Sequence, residues 1–450
     1  QGADFEVVFE RPVITTSGAE IANPVRGNND QAGIQFSTRA GLTGIAGLDS
    51  TSEQFSIRSV VPADGTPFEP SDLAAFRLEL SQAISPSWRE KGGSIRLLDQ
   101  DRSEVPVNVL INNRLITVDP CTTSTERGCG SPDDQLIGGQ AYTLEITDLA
   151  SLSGQRLNQS QTFRVRETEP TAVQFQNATD PGITEGGPVI KSRLNDQAVN
   201  GIVLNSVLQG TTDQSESLGS LFTELAFAPT FEADEALPLR IPRGSRLLGS
   251  ALPVRVNGTV PIIDEETQAL QRTGDINVVM VSDATGYLLP NPYTDNQAAP
   301  KHVRLFMDVA MNTERPQPNA SLSQNLLHVE LVGIALVEDG ILTIDALSIV
   351  EPNLLGQEVT DATVAFQIQA DTDVDVQFEA IQQRLEDTQG PQLVSWQPGP
   401  DEVFPGDRDQ IQRPGDPVSL FYDEPLLPAS AEQGITVFEG GVEVPARVQV

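Results

Sequence analysis

The sequence predicts an all-β fold, and three observations carry that expectation. Apolar and polar residues alternate in its strongest segments, clusters of Gly, Pro, Asn and Asp separate those segments, and long helical periodicity is scarce. Period two puts apolar groups on one face of a strand and polar groups on the other. It runs through FRLEL (Phe76–Leu80), VPVNVLI (105–111), YTLEI (142–146) and VAFQIQA (364–370). Breaks such as DATG (283–286) and LPNPYTDN (289–296) supply turn residues. The run VELVGIALVEDGILTIDALSIV (329–350) carries Glu330, Glu338, Asp339 and Asp345, too many charges for a hydrocarbon core, and reads as a buried β-hairpin. One short helix is expected over EAIQQRLEDT (379–388), at a domain boundary.

A chain of 450 residues suggests roughly three domains. Their arrangement is hinted at by a repeat. The phrase SVVPADGTPFEP (59–70) has an echo in SWQPGPDEVFP (395–405). After the first come LELSQAISPS and GSIRLLDQDRSEVPVNVLI; after the second come LFYDEPLLPAS and GITVFEGGVEVPARVQV. Each copy passes through a strand, a Pro-Ser or Pro-Ala-Ser turn, another strand, and Val-Pro leading into a third, so the chain is read as carrying one module twice.

This pattern resembles the bacterial Ig-like domains of surface-layer and adhesin-type proteins, and GGQAYTLEITDLASLSGQRLNQSQTFRV (138–165) resembles the closing strands of such a domain. The resemblance implies tandem Ig-like β-sandwiches, one over 56–167 and an incomplete one over 389–450, flanking a larger β-rich central domain over 168–388. The central domain matches no family in this reading and is expected to be two packed sheets; residues 1–55, with FEVVFERPVI, are expected to add a β segment or partial domain. The second copy reaches Val450 before any equivalent of the closing strands, so either the chain continues or a neighbouring molecule donates the missing strands.

Charge excludes some partners. With 63 acidic residues against 28 basic ones the net charge is −35, which argues against nucleic acid and against an anionic membrane surface. Cys121 and Cys129 lack the Cys or His neighbours of a zinc site. They are expected to pair as a disulfide, worth roughly 2.6 kcal/mol for so short a loop in the chain-entropy model. The alternative is two reduced, unrelated thiols. The disulfide points to an oxidising compartment, and Gln1, without Met or a leader, points to a secretion signal removed or omitted. The expected location is extracellular or at a bacterial cell surface, associated with the outer membrane.

No catalytic, cofactor or metal residue is assigned. His302 and His328 sit in alternating β runs and read as strand histidines, and neither an acyl-transfer elbow nor a phosphate loop occurs. Two acidic runs could interest calcium: DTDVD (371–375), read as three carboxylates on one strand face, and DQDRSE (99–104), read as a turn. Acids at the module joints, Glu167, Glu169, Glu386 and Asp387, could share an ion. A solvated acidic face is the alternative throughout. Asn158, Asn177, Asn257 and Asn319 begin glycosylation sequons whose use depends on the host.

The function expected is therefore that of a non-enzymatic surface component, structural, assembling or adhesive, meeting protein partners or copies of itself. The alternative is a carbohydrate-binding or accessory module of a larger surface enzyme, which would set Tyr287, Tyr293 and nearby Phe rings on one open face.

Overall fold

The computed structural model describes residues 54–122, 134–183, 189–202, 215–251 except 233, 268–313 except 297 and 298, 323–350 and 362–385. Short stretches are also described before 54, within 255–263 and 353–358, and beyond 390. The chain is all-β, but its architecture is one sandwich docked on one closed barrel.

The sandwich is built from β1 (Ile57–Val61), β2 (Phe76–Leu80), β3 (Ser94–Leu98), β4 (Glu104–Val105), β5 (Val107–Asn112), β6 (Leu115–Pro120), β7 (Ala141–Ala150) and β8 (Arg156–Arg164). They form two four-stranded sheets, ordered β1-β2-β6-β5 and β8-β7-β3-β4. Alternation explains the packing: Phe76, Leu78 and Leu80 of one sheet and Tyr142, Leu144 and Ile146 of the other point into a shared core. The rings of Phe76 and Phe163 stack at 4.8 Å between the sheets. Each such side chain contributes about 1.5–3 kcal/mol on leaving water.

Residues 172–371 form the barrel. Its strands are β9 (Ala172–Ala178), β10 (Gly201–Ile202), β11 (Ser215–Leu218), β12 (Ser220–Leu225), β13 (Leu237–Ile241), β14 (Arg246–Gly249), β15 (Ile276–Met280), β16 (Ala284–Leu289), β17 (Lys301–Thr313), β18 (Ser323–Glu338), β19 (Ile341–Val350) and β20 (Ala362–Asp371). Eight of them close a ring in the order β9-β12-β13-β16-β17-β18-β19-β20 and back to β9, every pairing antiparallel. The remaining four extend the sheet beyond the ring pairings. Thus β14 and β15 keep the same register as β13 and β16, with Arg246 opposite Val279 and Leu237 opposite Leu288. Full closure removes the exposed edges that would otherwise invite pairing.

The interior is apolar, with Leu239, Ile241, Val303, Leu305, Leu331, Ile344 and Ile368 buried together. Gly333 is needed there, since a Cβ would lie 2.0 Å from the Asp345 carbonyl oxygen. The outward face mixes polar and aromatic residues, and its buried charges lie under other parts of the protein. The sandwich covers Arg240, Asp283 and Asp308, and the excursion before β10 covers Asp345, which accepts from Ser192 Oγ at 2.7 Å and the Arg193 N–H at 2.8 Å. A membrane-spanning barrel layers the other way, apolar side out.

Three expectations need correction here. The central region is a closed barrel rather than two packed sheets, because the strand after the 329–350 hairpin turns back to pair with the first strand of the region. Tandem sandwiches are not seen either. The described residues of the second copy form two separate pairs, Leu393–Gln397 with Ser419–Tyr422 and Val437–Glu439 with Val442–Val444, and its Pro-Ala-Ser element is a helix, Pro428–Gly434. The run DTDVD is no strand face: Asp371 ends β20, and Asp375 lies in helix α1 (Val374–Leu385). Its carboxylates serve the chain turn, Asp371 Oδ1 accepting from the Asp373 N–H and Asp373 Oδ1 from the Asp375 N–H. The 329–350 hairpin is present as β18 and β19, and within 1–55 Asp4–Val8 pairs with Gly33–Ser37.

Candidate functional site

Two features of the structure are candidates, one inside the barrel and one where the sandwich meets its wall.

Inside, a narrow crevice opens at the barrel end from which β9 starts and where β20 finishes. Its free space is about 20 Å³, room for about one water molecule. Leu225, Leu239, Leu288, Leu305, Leu342 and Ile368 give it an apolar wall, and Gln174, Gln176 and Thr223 make one polar strip. The strip exists because β9, AVQFQNA, turns its glutamines inward while Phe175 faces out, where its ring meets Phe222 edge-on at 5.3 Å. Gln176 is 2% exposed; its Nε2 donates to Gln174 Oε1 at 3.3 Å, and its own Oε1 has no hydrogen-bond partner.

At this end the ring is thin. β9 and β20 pair through two residue pairs, Asn177 with Gln369 and Ala178 with Ile368. Beyond them Gln377 of α1 takes the place of a strand residue. Its Oε1 accepts from the Phe175 N–H at 2.6 Å, and its Nε2 donates to Phe175 O at 3.3 Å and Asp371 O at 2.9 Å.

The second feature is a buried polar interface. The loop before β2 lays Phe68 between Tyr287 and Phe306 on the barrel wall, at 5.2 and 5.5 Å, and the Tyr287 hydroxyl donates to Glu69 O. Arg77 of β2 meets Asp308 of β17 at 3.0 Å; Asp308 also accepts from Thr117 and Ser282 hydroxyls and the His328 N–H. Burial alone would raise the Asp308 pKa, but Arg77, His328 and these hydrogen bonds hold it below the usual range. His328, placed by a β-bulge with φ of 58°, sets Nε2 3.1 Å from Ile116 O, and burial lowers its pKa. A few residues away, Arg240 is 1% exposed and bonds Glu224 and Asp283 as well as the Asp134 carbonyl. Burial would discharge it, yet Asp283 and Glu224 keep it charged. Asp119 is the reverse case: burial, then the neighbouring Asp283 carboxylate, push its pKa well up. This interface is a docking device, since its groups face each other rather than a cavity.

The residues singled out from sequence fall elsewhere. His302 lies on β17 opposite Ile334, and His328 packs under the sandwich. Asp99 organises a turn, accepting from the N–H groups of Asp101 and Ser103. Glu167 and Glu169 are exposed, and the joint is held instead by Arg166 with Glu235 and by Asp72 accepting from Thr168. Tyr287 is buried and Tyr293 is 89% exposed, so they share no open face. Cys121 follows β6, its N–H donating to Pro106 O. Cys129, Asn257, Asn319, Glu386 and Asp387 lie outside the described residues, and with Cys129 the expected bridge. Among the described residues no group of His, Cys, Asp and Glu has the arrangement of a metal site. The crevice and the interface were both missed by the sequence reading.

The chain thus presents a closed barrel with an apolar interior, a polar strip at its mouth and a sandwich locked to its wall. Among curated proteins, "Alkane uptake protein B" of Marinobacter nauticus is 50% identical to this chain over 447 residues, which is 98% of this chain and 42% of that protein. The chain thus spans less than half the length of the relative it matches. No family model matches the sequence. Among solved structures, alpha-2-macroglobulin from Escherichia coli (domains MG0-NIE-MG1) aligns with 72% of this chain and 91% of its own at 11% identity and a TM-score of 0.20. Surface-layer protein SbsC, domains 1–6, aligns with 70% and 63% at 9% identity and the same TM-score. Scores this low carry no argument about fold.

The match to an uptake protein overturns the expectation of a structural, assembling or adhesive surface protein and that of a carbohydrate-binding module. The physical reason agrees: Tyr287 and Phe306 are spent on docking the sandwich, and Tyr293, 89% exposed, shares no face with them.

Proposed function

We propose that this chain is a portion of an alkane-uptake protein and that it binds alkane. The observation that carries the reading is the 50% identity to the named uptake protein along 98% of the chain. The work is then binding rather than bond chemistry. The charged Arg240, Asp283, Asp308 and Asp345 on the outer side of the wall argue that the barrel is not itself the membrane passage. The bacterial surface location, associated with the outer membrane, is in keeping with a relative named for uptake. The likeness of residues 56–167 to bacterial Ig-like domains stays part of this proposal, supported by two packed four-stranded sheets.

The test is retention of tritiated hexadecane by the purified chain on gel filtration. Equimolar label travelling with the protein is expected. Label no higher than on an unrelated β protein of the same size would end the alkane reading.

A further inference from the structure

Helix α1 is fixed to the barrel with its apolar stripe turned to solvent. Val374, Phe378 and Ile381, at i, i+4 and i+7, share one helix face, and a stripe of that kind ordinarily packs inward. Here the wall is held instead by the amide of Gln377, which bonds Phe175 and Asp371, while Val374 is left 78% exposed and Phe378 59%. The ring is antiparallel throughout, so the β18–β19 turn and the β12–β13 and β16–β17 connections come out at this same barrel end. Val337, Phe227 and Tyr293 are exposed there as well. The Thr372 N–H and hydroxyl both donate to Gly340 O, which sets the turn after Val337 against the start of α1.

Charge says what such a face can meet. The connecting residues at this end, 226–236, 290–300 and 339–340, and the segment 372–383 hold acids but no Lys, Arg or His. Asp339, Asp373, Asp375 and Glu379 are exposed on α1 and on the turn beside it. Arg166 and Arg193 reach this end paired with Glu235 and Glu338, and Lys301 starts β17. A second copy of this chain and an anionic membrane are both repelled by that balance. We propose that this barrel end docks a basic amphipathic helix of a protein partner. Its apolar side covers Val374, Phe378 and Val337, and its Lys and Arg side chains meet the acids around them. The apolar anchors hold the partner, and the charges steer and select it. The inference goes beyond the alkane-uptake reading and does not rest on it.

Binding of three fluorescein-labelled peptides to the full chain is followed by fluorescence anisotropy at physiological salt. They are a Leu-Lys helix with its leucines on one face, the same residues in scrambled order, and a Leu-Glu helix. The Leu-Lys helix is expected to bind about tenfold more tightly than the scrambled peptide, and the Leu-Glu helix not to bind. Val374→Ala with Phe378→Ala, checked for folding by circular dichroism, is expected to weaken the Leu-Lys helix about tenfold. Ile137→Ala with Leu152→Ala, which trims exposed apolar residues of the sandwich, is expected to leave it unchanged. No binding of the Leu-Lys helix, equal binding of the scrambled peptide, an unchanged affinity in V374A/F378A, or an equal loss in I137A/L152A overturns the proposal. Flotation with neutral phosphatidylcholine vesicles that is lost in V374A/F378A, without peptide binding, would make this end a lipid-binding face and overturns it too. Retention of hexadecane is read separately, so the alkane reading stands or falls without these results.

Discussion

Arg77 of the sandwich and Asp308 of the barrel form an ion pair at 3.0 Å, with side chains 3% and 0% exposed, across the seam between the two bodies. Removing one partner strands the other charge away from water. Arg77→Ala or Asp308→Ala should therefore cost about 3–5 kcal/mol in urea unfolding, as for a broken buried pair. The double replacement should cost less than the sum of the two. Single losses under about 1 kcal/mol would show that the two bodies dock without this pair.

Two buried groups make that docking weaken in acid. His328 faces Asp308, Arg77, Glu79 and Ile116 O, and its folded pKa lies below the ordinary value of 6.5. Stability it contributes is complete above 6.5 and is lost as pH falls through the lowered value. Asp308, also depressed, adds a second loss below 3.8, its ordinary value. Melting temperature should decline from pH 6.5 downward in the unmodified protein, and His328→Gln should flatten the upper part of that decline. An identical slope in H328Q would remove the histidine from the account.

Asp119 works in the other direction. Its folded pKa is raised, by burial first and Asp283 second, so its contribution is complete below 3.8 and disappears as pH rises through the raised value. Asp119→Asn keeps an oxygen for the Asp283 N–H, now 3.1 Å from Asp119 Oδ2, without the charge. It should raise the melting temperature at pH 8 and leave it unaltered at pH 3. A lower melting temperature at pH 8 would mean that the carboxylate is needed.

Gln377 contributes three hydrogen bonds to the strand junction. Gln377→Leu should cost about 1–3 kcal/mol and speed amide exchange at Phe175 in β9. Exchange there that matches the unmodified protein would show that the junction holds without the helix.

What could be read from the chain, and what could not, divides along contact distance. FRLEL, YTLEI and the 329–350 hairpin were legible, because period-two alternation and a tight turn are local signals. Ring closure was not, since nothing near Asn177 announces pairing with Gln369. FRLEL also misled: its Arg77 marks the polar face of the strand, yet that face is buried, because another body carries the matching Asp308. DTDVD was read as strand where the chain had already begun a helix cap. The crevice had a faint signal in VQFQN, where either the glutamines or Val173 and Phe175 had to face inward. Alternation alone favoured the wrong pair, because burial of an amide is decided by a cavity that the strand does not contain.

The junction of β9 with β20 joins segments nearly two hundred positions apart, whereas the sandwich is finished before the first of them begins. During synthesis the ring must therefore wait, open along both sides, until almost the whole region has emerged. The sandwich is by then a ready-made mould, and its Phe68 and Arg77 can seat the middle strands one after another while the last gap stays unclosed. Assembly order is thus written into the position of that junction. A chain deprived of its first 166 residues would be expected to aggregate through its open edges long before it could become a barrel.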